Sequence, residues 1–103
     1  MKKIINKKVY DTETAKFIAG YHNGLSKGDF KFVSEDLYVT KKGQYFLHAK
    51  GGALTIYSES EGNSSWGIET IILLSKEEVY DWLEENEHTE IIEEIFKDVI
   101  QEG

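Results

Sequence analysis

The sequence predicts a small α+β domain: an antiparallel sheet of about four or five strands, one N-terminal helix and two C-terminal helices. Three observations lead there. Leu37–Lys50 reads as two runs of β-branched and aromatic residues around the turn Lys41-Lys42-Gly43. Ser75-Lys-Glu-Glu78 ahead of an apolar-periodic run is a capping box. Ile91, Ile92, Ile95, Phe96, Val99 and Ile100 recur at helical spacing as one wide stripe.

A length of 103 residues with 40% hydrophobic and 13% aromatic content fits one domain, 1–103, with a single modest core. Residues 1–75 are expected to be mostly β with one short helix, and residues 76–103 to form an acidic helical part. Lys2 to Tyr10 reads as a short strand, or as a tight hairpin turning near Asn6-Lys7. Asp11 or Thr12 then offers an N-cap for a short helix, with Ala15, Phe17, Ile18 and Tyr21 near helical spacing. Gly20 and Asn23-Gly24 are its stop signals. A polar connection over 22–31 leads through Phe30 and Phe32 into the central hairpin, where Gly43 supplies the positive φ that a three-residue loop needs.

Gly51-Gly52 breaks that hairpin and leads to a further strand over 53–58, with Leu54 and Ile56 alternating with Thr55 and Tyr57. The segment 59–67 reads as the least structured part of the chain. Ile68 to Leu74 is apolar on both faces, which places it centrally in the sheet or under a helix. Leu74 and Val79 flank the capping box at hydrophobic-staple positions, and the helix it opens runs to about Glu85. Asn86-Glu87-His88 ends it, and Thr89 caps a last helix to about Gln101. The stripe of that helix packs either within the chain or as the seam of a homodimer.

Charge is unevenly spread. Residues 76–103 hold eleven acidic residues and two lysines, a net of −9, while residues 1–75 have a net of +2, against −7 overall. Every basic side chain is lysine. Without arginine the chain lacks the usual bidentate reader of guanine and phosphate. No cysteine is present, which excludes disulfides, thiolate metal sites and a thiol nucleophile and fits a reducing compartment. The N-terminal apolar run is too short for a signal peptide and no stretch approaches a membrane span, so a soluble, cytoplasmic protein with no membrane partner is expected.

Catalytic signatures are missing from the sequence. His22, His48 and His88 lack metal-ligand spacing, and Gly51-Gly52 is neither a phosphate loop nor a dinucleotide fingerprint. No cofactor, metal or catalytic residue is therefore assigned. Asp29, Glu35 and Asp36 offer carboxylates near the central hairpin but read as solvated loop acids. Glu69, between apolar neighbours, is the acid expected to be half-buried beside a lysine.

Two surfaces stand out. Glu84, Glu85, Glu90, Glu93, Glu94 and Asp98 form rows of carboxylates along the C-terminal helices. Such rows imitate a phosphate backbone and suit docking in a basic nucleic-acid channel of a protein partner. Lys2, Lys3, Lys7, Lys8, Lys41 and Lys42 lie among Tyr10, Tyr38, Tyr45 and Phe46. Basic turns beside an aromatic strand face suit a small nucleic-acid-binding module, although lysines also protect sheet edges.

Several segments together carry a resemblance: Tyr10-Asp-Thr-Glu-Thr-Ala15, Glu35-Asp-Leu-Tyr-Val-Thr-Lys-Lys-Gly-Gln-Tyr-Phe-Leu47, Gly51-Gly52, Ile72-Leu-Leu-Ser-Lys-Glu-Glu78 and Trp82-Leu-Glu84. Over roughly residues 1–85 the chain resembles a short, uncharacterised family of bacterial mobile-element proteins. Leu73 stands where that family usually has proline, and Glu87–Gly103 extends beyond where many members end. In size, acidity and arginine-free composition the chain is also similar to phage and mobile-element anti-CRISPR proteins that act on the Cas9 effector of type II systems. The resemblance implies a non-enzymatic inhibitor that binds Cas9, or another nucleic-acid-binding nuclease, and blocks guide RNA assembly or DNA binding. It carries no functional residue with it.

Overall fold

The structure, a computed structural model, describes residues 1–97. Its first element is a hairpin, β1 (Lys2–Ile5) with β2 (Lys8–Asp11), paired antiparallel from Lys2↔Asp11 to Ile5↔Lys8. Asn6 and Lys7 form the turn, both with positive φ (50° and 66°), as a two-residue hairpin turn of the right twist requires.

The expected N-terminal helix is absent. Asp11 does begin as a cap: its Oδ1 accepts from Glu13 N at 2.9 Å, and its carbonyl accepts from Thr14 N at 3.2 Å and Ala15 N at 3.0 Å. One turn forms and stops. The chain then enters strand β3 (Lys16–His22), paired antiparallel with β4 (Val33–Val39). Phe17 faces Tyr38 and Ala19 faces Leu37, so Ile18 is an extra residue in a β-bulge. The bulge interrupts period-two alternation and leaves apolar residues at a spacing that imitates a helix. The pairing along β4 outweighs the weak local preference for helix.

The central hairpin joins β4 to β5 (Tyr45–Gly51) in the register Leu37↔Leu47 and Tyr38↔Phe46, with Gly43 at φ +88° in its loop. The last sheet strand, β8 (Glu69–Leu74), pairs antiparallel with β5, giving the order β3-β4-β5-β8. The apolar run at 68–74 is thus an edge strand rather than a central one. It still buries both faces, with Leu74 on one side and Ile71 on the other.

Between β5 and β8 the structure differs from the expected one in two places. Residues 53–57 form no strand. Gly52 N and Leu54 N instead donate to Phe32 O and Phe30 O, each at 2.9 Å, tying this loop to the one before β4. A side chain at Gly52 would stand 2.5 Å from the carbonyl oxygens of Asp29 and Phe30, so glycine alone permits that approach. Thr55 Oγ1 donates to Gly52 O and accepts from Tyr57 N, replacing a strand ladder with local bonds. The segment read as unstructured holds a hairpin, β6 (Ser58–Glu61) with β7 (Ser64–Gly67), turning at Gly62 with φ +60°.

Two helices follow, α1 (Lys76–Glu85) and α2 (Thr89–Ile95). The capping box is formed: Ser75 Oγ accepts from Glu78 N at 3.2 Å, and Glu78 Oε1 accepts from Ser75 N at 3.0 Å. The second helix starts without a side-chain cap after His88, so Thr89 is its first residue and not its cap. It ends at Ile95, short of the expected length; Val99, Ile100 and Gln101 lie outside the described residues.

Strands make up 44% of the structure, in three sheets, and both helices are short and C-terminal. A mostly-β fold thus replaces the expected α+β domain. Its two cores lie on opposite faces of the four-stranded sheet. On one face Val79, Trp82, Leu83 and Ile92 from the helices pack on Ala19, Leu37, Leu47 and Leu74. On the other, Tyr10 of the first hairpin packs on Phe46 and Ile71, with Tyr38 and Leu73 alongside. Ile92, Ile91 and Phe96 therefore turn the stripe of the last helix inward, onto this chain's own core. Among the described residues no helix is long and apolar enough to cross a membrane.

Candidate functional site

Helix α1 exists where it does because Ser75 and Glu78 start it and Val79, Trp82 and Leu83, all buried, hold one side to the sheet. Its other side carries Glu77, Asp81, Glu84 and Glu85, all exposed. Helix α2 repeats the arrangement, with Ile92 buried and Glu90, Glu93 and Glu94 exposed. Five of the six acids expected to form the partner surface thus stand outward on two adjoining helices. Asp98 lies outside the described residues. Among the described residues, no lysine or histidine nitrogen comes within 4.0 Å of these five carboxylates.

The acidic helix is fixed to the sheet by a polar network. Glu35, half-buried on β4, accepts from Trp82 Nε1 at 3.1 Å through Oε1 and from the Tyr57 hydroxyl through Oε2. Burial first, then this bond to Glu35, pushes the Tyr57 phenol well above its ordinary range. His88 stacks on Trp82 with ring centroids 5.6 Å apart, and its Nε2 lies 3.1 Å from Gly20 O. The loop at 52–57, strands β3 and β4, and the α1–α2 junction meet at this point. Glu35 is therefore a satisfied structural acceptor rather than the solvated loop acid expected. Nothing local in the sequence joins Glu35 to Trp82 across 47 positions.

The lysines divide. Lys7 and Lys8 from the first hairpin, and Lys41 and Lys42 from the central hairpin turn, line one groove of about 590 Å³ with Tyr10, Asp11, Thr14, Thr40 and Gln44. Lys2 and Lys3 lie outside it; Lys3 Nζ donates to Thr70 Oγ1 at 3.2 Å. Of the aromatic side chains expected to stack bases, Tyr10 and Phe46 are buried and Tyr38 and Tyr45 half-buried. Tyr10 meets Phe46 edge-on at 5.8 Å, and Tyr38 stacks on Phe46 at 5.4 Å. Tyr10 and Phe46 are buried because the first hairpin packs its Tyr10 onto Phe46 and Ile71 of the sheet.

Elsewhere, Glu69 is half-exposed, with Oε2 3.1 Å from His48 Nε2 and 3.8 Å from Lys50 Nζ. His48 is buried, and its Nε2 makes no aligned hydrogen bond. Among the described residues no three potential metal ligands gather.

Comparison with known protein families, with curated protein sequences and with solved structures finds no match.

Proposed function

We propose that the chain is a non-enzymatic inhibitor that lays its acidic helical face on a basic, nucleic-acid-binding surface of a protein partner. One observation carries this reading. The apolar stripes of α1 and α2 are used against the sheet, so Glu84, Glu85, Glu90, Glu93 and Glu94 are left outward without a cation. Like charges gathered this way oppose the folded state unless a partner neutralises them. The Glu35–Trp82 bond and the capping box hold the helix in place beforehand, which lowers the ordering cost of docking.

The resemblance to mobile-element proteins selects the partner: a Cas9-type nuclease of a host defence system, whose channel holds guide RNA and target DNA. Occupation of that channel blocks guide assembly or DNA binding. Such a partner places the protein in the cytoplasm. The test is a pull-down of Cas9 before and after guide loading. Capture of the unloaded form alone indicates competition with the guide, and capture of both forms indicates a block on DNA. A variant with all five glutamates changed to glutamine is expected to lose capture, and raised salt is expected to weaken it. Absence of capture in either form refutes a Cas9 partner. Capture indifferent to salt and to the five substitutions refutes docking through the acidic face.

A further inference from the structure

The lysine groove has no part in that reading, yet its construction is specific. Two hairpins far apart in sequence bring Lys7 and Lys8 against Lys41 and Lys42 around one concavity. Among the described residues no carboxylate lies within 4.0 Å of any of the four lysine nitrogens. One acid, Asp11, lines the groove, and its Oδ1 already accepts from Glu13 N. Lys7 also sits at φ +66°, a left-handed conformation that glycine adopts without penalty and lysine does not. A cation thus stands at a turn position whose positive φ would suit glycine better.

We propose that this groove binds the phosphodiester backbone of a single-stranded nucleic acid. The ammonium groups contact phosphates, and the bases face away. Three features select that ligand. At about 590 Å³ the groove has the size of a small-ligand pocket, ~300–1,000 Å³, and has room for a nucleotide-sized segment of strand. Tyr10 and Phe46 are buried, so neither is offered for base stacking. The chain has no arginine, so bidentate base reading by guanidinium is absent and lysine contributes point charges. Binding should therefore tolerate any sequence. The local field suits it too, since residues 1–75 have a net charge of +2 although the whole chain is at −7.

The experiment is fluorescence anisotropy of labelled oligo(dT), oligo(U) and a DNA duplex with the full chain across a salt series. Four phosphate contacts give a log–log salt slope of about −3 for a single strand, or roughly a 50-fold loss of affinity from 50 to 200 mM salt. Both single strands are expected to bind more tightly than the duplex. Lys7→Gly alone should raise the melting temperature while weakening the strand complex, which separates loss of charge from loss of fold. Changing Lys8, Lys41 and Lys42 to glutamine as well should lower affinity at low salt by at least about tenfold. Lys2→Gln with Lys3→Gln, outside the groove, should leave it within about twofold. Three outcomes overturn the proposal: no single-strand binding at low salt, equal binding by the four-lysine variant, or tighter binding of the duplex.

Discussion

Removal of the Glu35 carboxylate is the sharpest test of how the acidic helix is held. Glu35→Ala leaves Trp82 Nε1–H and the Tyr57 hydroxyl without their acceptor, both at partly buried positions. An unsatisfied buried donor costs about 1–3 kcal/mol, so the pair amounts to roughly 3–4 kcal/mol, with the hydroxyl at the low end because it can turn towards water. Against a total stability of about 5–15 kcal/mol this is a large fraction. For a domain of this size it lowers the melting temperature by roughly 15 °C. Glu35→Gln keeps one acceptor but exchanges charge-assisted bonds for neutral ones, and should cost about 1–2 kcal/mol.

The assay is urea unfolding followed by tryptophan fluorescence in a Trp66→Phe background. Trp66 is 42% exposed and Trp82 8% exposed, so Trp82 then reports alone on the junction. A double-mutant cycle of Glu35→Ala with Trp82→Phe, followed by circular dichroism because Trp82→Phe removes the fluorophore, should give a coupling of about 1–2 kcal/mol, since the two side chains share one bond. A loss below ~0.5 kcal/mol for Glu35→Ala, the range of ordinary surface substitutions, refutes the reasoning. Strict additivity in the cycle would equally show that Trp82 is held by packing alone.

The titrating groups and the caps give three further expected outcomes. The Ser75 backbone N–H, and then its hydroxyl, hold the Glu78 carboxyl below its usual range. A depressed carboxylate stabilises the fold above its unfolded pKa and loses that contribution as pH falls through the lower folded value, so Glu78→Gln should flatten the acid limb of a melting-temperature profile. Ser75→Ala should cost about 1 kcal/mol in urea unfolding by removing the other half of the box. Tyr57 has the opposite sign: its raised phenol contributes fully below the unfolded tyrosine pKa, about 10, and the contribution falls as pH rises beyond it. Tyr57→Phe should remove that alkaline decline, and an unchanged alkaline limb would assign it to other tyrosines.

What was legible in the sequence was local. The turn at Lys41-Lys42-Gly43 and the capping box at Ser75–Glu78 each lie within a few residues of everything that defines them, and both stand in the structure. The N-terminal helix signal is just as local, and there local signals do not decide the outcome. Asp11 does cap a turn, but continuation depends on β4, more than ten residues away, and on a bulge at Ile18 that carries no composition signal. The hairpin at Ser58–Gly67 leaves no pattern in the sequence because its eight strand residues are exposed, Ser58 only half so, and Trp66 is the one large apolar side chain among them. No buried face imposes an alternation there.

The lysines show how one long-range contact can reverse a local inference. Read in sequence, Lys7-Lys8, Lys41-Lys42 and the aromatic residues suggested an open stacking platform flanked by charge. In the fold, Tyr10 buries its ring against Phe46, and the platform becomes core. The same contact sets the turn of the first hairpin beside the Thr40–Gln44 loop, so that Lys7, Lys8, Lys41 and Lys42 line one groove while Lys2 and Lys3 stay outside it. Closing the aromatic face and assembling the cationic groove are therefore a single event, with Tyr10 as its anchor. A substitution that weakens that anchor, such as Tyr10→Ala, should disperse the lysines without altering the charge of the chain. Strand affinity lost in that variant, beside acidic helices that still fold on the opposite face, would show that position rather than composition makes the site.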